Sequence, residues 1–200
     1  MRYLACILGF GVALGAVFGV SAYTSVLDET VNRFYFLEDD SFLLLGKGAN
    51  VMQIIPFESE FPENVSAEIM KIPGIIYTLP VIFKDFSNVT QYKWIKNVVV
   101  GINFGSLQNI YMKDVGLQAG QWATENTHEI VVGPNLEIEN LSIGVQIPIR
   151  GINFTITGIL NTNNVFFDKF LYLDYEITQS VFNMEGFCSA MYIFGDQEFL

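Results

Sequence analysis

The sequence predicts an α+β chain in which one N-terminal transmembrane helix is followed by a strand-rich extracytoplasmic domain. Three observations carry that expectation. Tyr3 to Leu27 is a run of 25 residues without a charge, long enough to cross a bilayer with some tilt. Beyond it, short stretches of Val, Ile and Phe alternate with Gly, Pro and Asn turn signals. All 21 acidic and nine of the ten basic side chains also follow the run, a net charge of about −12. Two hundred residues leave room for an anchor and one ordinary domain. The division expected is 1–38 for the helix (about 3–27) and a helical stalk, and 39–200 for the domain.

The orientation follows from the flanking charges. Arg2 and the amino terminus lie on one side of the run, and Asp28 and Glu29 on the other. The positive-inside rule therefore places the short end in the cytoplasm and the domain outside. Gly11, Gly15 and Gly19 recur at four-residue spacing and would form one ridge for close approach of another membrane helix. The competing reading is a cleaved signal peptide, with Val20-Ser21-Ala22 as its small-residue site. Retention is favoured, because the apolar run exceeds a typical signal core and a packing ridge is useless in a removed peptide. From Tyr23 the helix is expected to run on as a stalk with Tyr23, Leu27, Val31 and Phe34 on one face. Glu29 and Arg33 are spaced to pair along it.

In the domain, Phe42 to Leu45 reads as a buried strand stopped by Gly46-Lys47-Gly48, and Val51 to Phe57 as a second apolar stretch. Pro62 opens a short helix over 63–72, closed by Pro73-Gly74. Ile75 to Phe83 is β-rich, with Pro80 marking an edge or a bend. Val98-Val99-Val100 lies in the strand expected within 91–103, and Glu129 to Val132 is a strand stopped by Gly133-Pro134. A helical turn is read over 135–140. Strands over 145–150 and 154–159 form a hairpin. Lys169 to Asp174 is a strand, Tyr175 to Phe182 a helical turn, and Cys188 to Phe194 the last strand. Gly-Ile-Asn-Phe occurs at 101–104 and again at 151–154, but the flanks differ and no repeat is inferred.

Composition excludes several functions. An acidic domain cannot bind nucleic acid through released counterions, nor hold anionic lipid through a basic patch. His128 is the single histidine, so no triad or multi-histidine metal site can be built from several of them. Leu45-Gly46-Lys47-Gly48 lacks the upstream glycine and the Ser or Thr of a phosphate loop. Asp39-Asp40 and Glu137 with Glu139 lack the ligand alternation of a calcium loop and read as solvated charge. No cofactor or metal is expected, and no catalytic residue. Cys6 and Cys188 are expected as free thiols. Asn64, Asn88, Asn140 and Asn153 head Asn-x-Ser/Thr sequons, candidate glycosylation sites that suit an outside-facing surface.

Seven pieces of the chain, in order, resemble ABC-transporter permeases of the MacB/FtsX/LolC type. Asp40-Ser41-Phe42-Leu43-Leu44-Leu45 resembles the first strand of that family's periplasmic core domain. Glu68 to Ile75, through Pro73-Gly74 and on to Leu79-Pro80-Val81, is similar to its helix, turn and strand passage. Val99-Val100-Gly101-Ile102-Asn103 looks like its next glycine-bearing strand. Gly116 to Trp122 matches its Gly turn, with Gln121 and Trp122 where the family has Arg and Phe. Glu129 to Gly133, Ile143 to Ile147 and Phe154 to Leu160 follow its closing series.

The resemblance implies a domain that works with an ABC ATPase subunit and further permease helices, a dimer among the arrangements, and that passes ATP-driven motion outward. It implies no enzymatic step in this chain, and an unknown transported substrate. The chain ends at Phe199-Leu200, where the family begins another helix and strand before its remaining membrane helices, so the domain is expected to be incomplete at its C-terminus. A fragment, a truncated product and one half of a split system are the readings left open. The alternative function is a bitopic or secreted cell-surface domain that binds a protein or glycan and has no transport role.

Overall fold

The structure, a computed structural model, describes residues 41–49, 55–56, 58–85, 98–106, 115–136, 141–161 and 167–196. The expected transmembrane helix with Gly11, Gly15 and Gly19, the stalk, Cys6, and the sequons at Asn88 and Asn140 lie outside these residues. So do most of the apolar stretch at 51–57 and of the turn read over 135–140. Among the described residues no helix is long and apolar enough to cross a membrane.

Eleven strands are described: β1 (Ser41–Leu45), β2 (Phe61–Pro62), β3 (Ile75–Asp85), β4 (Val98–Ile102), β5 (Gly116–Gly120), β6 (Glu129–Val132), β7 (Gln146–Ile149), β8 (Ile152–Asn161), β9 (Phe170–Asp174), β10 (Phe187–Cys188) and β11 (Ala190–Gly195). The described helices of more than one turn are α1 (Val65–Ile69) and α2 (Tyr175–Phe182), beside single turns at Phe104–Ser106 and Phe167–Lys169. Nine strands form one mixed sheet in the order β1-β11-β3-β4-β9-β6-β8-β5, with β7 also on β8. The small β2–β10 pair stands apart.

The centre of the sheet shows in its composition. β4 (Val-Val-Val-Gly-Ile) and β9 (Phe-Leu-Tyr-Leu-Asp) are buried at every position and run parallel. A strand covered on both faces reads as an unbroken apolar run rather than an alternation. β8 alternates instead, with Phe154, Ile156, Gly158 and Leu160 buried between more exposed neighbours. It pairs with β6 in parallel on one edge, and with β7 and β5 in turn on the other. Phe154, Ile156, Ile130, Leu171 and Ile147 meet in one core with Phe182 from α2.

Several sequence expectations change in detail. The helix read over 63–72 is shorter, Val65–Ile69, and Glu63 instead bonds to the Tyr175 hydroxyl. Pro80 neither ends nor demotes β3, which runs through it to Asp85. β11 pairs with β3 up to Val81, and β4 joins only from Ile82, so Pro80 sits where the strand is exchanging partners. The turn of the β7–β8 hairpin is Arg150-Gly151, both with positive φ (49° and 83°), the geometry of a type I′ turn. Arginine is an unusual residue there. Its guanidinium lies 4.7 Å from the centre of the Phe182 ring, a cation–π contact that offsets the backbone strain. Gly116 to Gly120, read as a turn, is an edge strand with a register shift between Leu117 and Ala119.

α2 is a complete short helix. Asp174 caps it, its Oδ1 accepting from the Ile177 amide at 3.2 Å, and Asn183 ends it in the left-handed conformation. The helix lies against β4 at Gly101, where an added Cβ would come within 2.6 Å of Thr178 Cβ.

Candidate functional site

Two features of the domain bear on function: the corner where the chain enters and leaves, and the polar cluster that fixes α2.

β1 and β11 are antiparallel neighbours, with Ser41 opposite Phe194. Directly opposed residues in such a ladder lie about 5 Å apart at their Cα atoms. The chain therefore enters the domain at Ser41 and leaves β11 at Gly195 from the same end of the sheet. The Asp196 amide then donates to the Gly74 carbonyl at 2.8 Å, which holds the exit against the start of β3.

Around this corner lie large apolar side chains that the fold leaves in solvent. Ile76 is 62% exposed, Ile72 54%, Phe42 50% and Met70 43%. Phe42, Ile193 and Thr78 lie opposite one another across β1, β11 and β3, and so share one face of the sheet. Ile76 lies where the register of β11 on β3 shifts, between Tyr77 opposite Phe194 and Ile75 opposite Gly195. α1 sits over it, with Ser66 Oγ 2.6 Å from Thr78 Oγ1. Met70 and Ile72 follow directly from α1.

The second feature is centred on Glu63. Its Oε2 accepts from the Tyr175 hydroxyl at 2.7 Å and from Gln179 Nε2 at 2.9 Å. Its amide donates to the Gly186 carbonyl at 2.9 Å, and Gln179 Nε2 also donates to the Phe187 carbonyl at 3.1 Å. These bonds tie α2 to the segments that form the β2–β10 pair, over more than a hundred residues of sequence. Cys188 lies fully buried at this point, its thiol 3.7 Å from the Phe61 carbonyl, and is a free cysteine.

Burial pushes the Cys188 thiol up to about 12, with a smaller push from the charge of Glu63. Burial raises the Tyr175 hydroxyl as well, helped by its bond to Glu63. In both groups the native state holds the proton more tightly than the unfolded chain does. The resulting stability is complete below the ordinary thiol value of 9.0 and is lost as pH rises from there toward about 12. We expect Cys188 to resist iodoacetamide at mildly alkaline pH until the domain is unfolded. Cys188→Ala should make stability fall less steeply over that pH window. Rapid alkylation of the folded protein would show the thiol to be accessible.

The residues named from sequence are not brought together into one site. Asn64 and Asn153 are exposed, the first before α1 and the second in β8. His128 is exposed, and its ring stands edge-on to that of Phe154 with centroids 5.2 Å apart. Among the described residues no group of three or more His, Cys, Asp or Glu side chains could hold a metal ion. The Glu63 cluster is not legible in the sequence. Its only local signal is an acid directly after Pro62, which reads equally well as ordinary first-turn charge.

The fold of this mixed-sheet domain resembles that of solved domains of ABC-type transporters. The periplasmic region of MacB from Actinobacillus actinomycetemcomitans is 12% identical, with a TM-score of 0.54 over 80% of this chain and 76% of that one. The extracellular domain of the noncanonic ABC-type transporter YknZ from Gram-positive bacteria is 15% identical, with a TM-score of 0.50 over 69% and 74%. At such identities the likeness speaks for the fold alone. No curated protein matches the chain. The profile of the MacB-like periplasmic core domain matches residues 4–193, nearly the whole sequence. The chain belongs to that family, and is the extracytoplasmic domain of a MacB-like ABC transporter permease. Members of the family are permease domains rather than enzymes.

Proposed function

We propose that this domain, anchored by the apolar segment at 3–27, couples ATPase-driven motion of membrane helices to export or to extracytoplasmic partners. The observation that carries this reading is the pairing of Ser41 with Phe194. β1, which follows the anchoring segment in sequence, is hydrogen-bonded along its length to β11 and through it to β3. Displacement of the anchoring helix before Ser41 would pull directly on the β1–β11–β3 ladder. The Glu63 cluster keeps α2 and the β2–β10 pair fixed to the rest of the domain, so that it can move as one body. Gly11, Gly15 and Gly19 serve as the packing ridge toward partner helices. The exposed sequons at Asn64 and Asn153 suit the outside surface.

The test is purification of the native polypeptide from its own membranes in mild detergent, with intact mass and co-purifying subunits both read. We expect the N-terminal segment to be retained and an ABC ATPase to accompany the chain. Gly15→Leu should weaken that association. A mass lacking the residues up to Ala22, with no ATPase present, would sink the coupling role and leave a secreted binding domain.

A further inference from the structure

We infer that β1 is a self-docking edge: two copies of this chain pair their β1 strands antiparallel about Leu43, joining two sheets into one. Among the described residues, the sheet has β1 as one edge and β5 with β7 as the other. An open edge invites further strands, and proteins blunt it with proline, charge or a bulge. The second edge is blunted along its length. Ile149 and Ile152 close the two-residue turn and exchange hydrogen bonds, so the next pair, Pro148 and Asn153, does not. The nitrogen of Pro148 therefore faces outward and offers a neighbouring strand no donor. β5 carries the register shift between Leu117 and Ala119, and Gly120 at φ 82° bends its end. β1 has none of these devices. Ser41-Phe42-Leu43-Leu44-Leu45 contains no charge, no proline and no shift in its pairing with β11.

A second copy is the occupant that β1 itself fits. Leu44 packs on the core opposite the buried Met191, and Leu43 lies opposite the buried Tyr192, so both faces of the strand are apolar. A neighbour on this edge must be apolar on both faces as well, which an amphipathic strand is not. β1 meets that demand. A two-fold axis through Leu43 sets all five residues in register and lays Phe42 of each copy opposite Leu44 of the other. Phe42, 50% exposed in one copy, is then covered from the side. The flanks favour the same direction. In the sequence Asp39-Asp40 stand just ahead of β1 and Lys47 just after it. Antiparallel strands bring these unlike charges together at each end, whereas parallel strands would bring like ones together. Five residue pairs make a small interface, so the pairing should be weak and rise with concentration. It does not depend on the coupling role proposed above.

The experiment uses the full chain in mild detergent, with Cys6→Ser and with Gly15→Leu to suppress association through the N-terminal segment. Cys188 is buried and takes no part. In the pair, Leu43 of the two copies stands about 5 Å apart at Cα, within disulfide reach, and Phe42 about 8 Å apart, beyond it. Under mild oxidation Leu43→Cys should give a covalent dimer several-fold faster than Phe42→Cys, although Phe42 is the more exposed. Gln118→Cys, exposed on β5, is the control for random collision. Light scattering on the parent chain should show the mass rising with concentration to that of a dimer. Leu43→Lys should abolish the rise, and Phe42→Lys, at an exposed position, should do the same even where the first variant unfolds. Equal linking at all three positions means collision and overturns the pairing. A dimer that survives Phe42→Lys in folded protein overturns it too, and places the contact elsewhere. A monomer at every concentration also overturns it, and protection of its outward-facing β1 amides from hydrogen exchange would assign the edge to a different strand.

Discussion

Gly133→Ala should destabilise the domain by about 3 kcal/mol or more, the upper end of what overpacking costs. Gly133 follows β6 directly, and its amide donates to the Phe170 carbonyl at 2.9 Å, extending the β6–β9 ladder. Two residues later the Asn135 amide donates to the Asp168 carbonyl at 2.7 Å. These bonds press the two backbones together. A Cβ on Gly133 would stand 2.2 Å from the carbonyl carbon and 2.3 Å from the carbonyl oxygen of Asp168. Both are main-chain atoms, so no side chain can swing aside and no trimming of a neighbour can rescue the variant. Relief requires breaking the pair of hydrogen bonds or moving the end of the sheet. For a domain of this size the loss corresponds to a Tm lower by about 6–12 °C, measurable by thermal unfolding in detergent. A change under about 1 kcal/mol would mean that the two segments are not held this closely.

Phe154→Ala carries the next largest effect, about 3–5 kcal/mol, the usual range for deleting a buried aromatic ring. The ring is fully buried in the core between β8, β7 and β6, where the surrounding sheet cannot collapse into the space. His128 supplies an edge-on contact from outside at an interplanar angle of 82°. His128→Ala should remove only that contact, about 0.5–1.5 kcal/mol. Urea unfolding of the two variants tests the difference. If Phe154→Ala costs no more than His128→Ala, the ring is not the core residue its burial indicates.

Much of the strand inventory was legible because burial writes itself into composition. Glu129 to Val132 and Phe170 to Asp174 could be placed within a residue or two from apolar runs and their turn boundaries. Val98-Val99-Val100 was legible only inside a longer stretch read over 91–103. The glycines of the resemblance were legible as glycines, but not their reasons. Gly101 gives room to Thr178 and Gly133 to the backbone of Asp168, and in both cases the neighbour lies tens of residues away. Gly116 to Gly120 reads as a turn only through the family resemblance and its flanking glycines. The stretch forms an edge strand whose partner, β8, lies forty residues on. The sequence understates α2 because its cap bond from the Ile177 amide to Asp174 is visible only once the strand before it is placed.

The sequence by itself determined that an uncharged 25-residue run precedes a strand-rich acidic domain. That conclusion needs only local quantities: charge, periodicity, spacing and residue counts. The tertiary structure alone decided that β4 lies parallel to β9 and β6 parallel to β8, and that Ser41 stands opposite Phe194. It alone showed that Glu63 joins Tyr175 and Gln179 across the fold. Pairing is a choice among strands of similar composition. It is settled by which arrangement satisfies every buried hydrogen bond and fills the core at once, a condition on the whole chain that no single stretch of it contains.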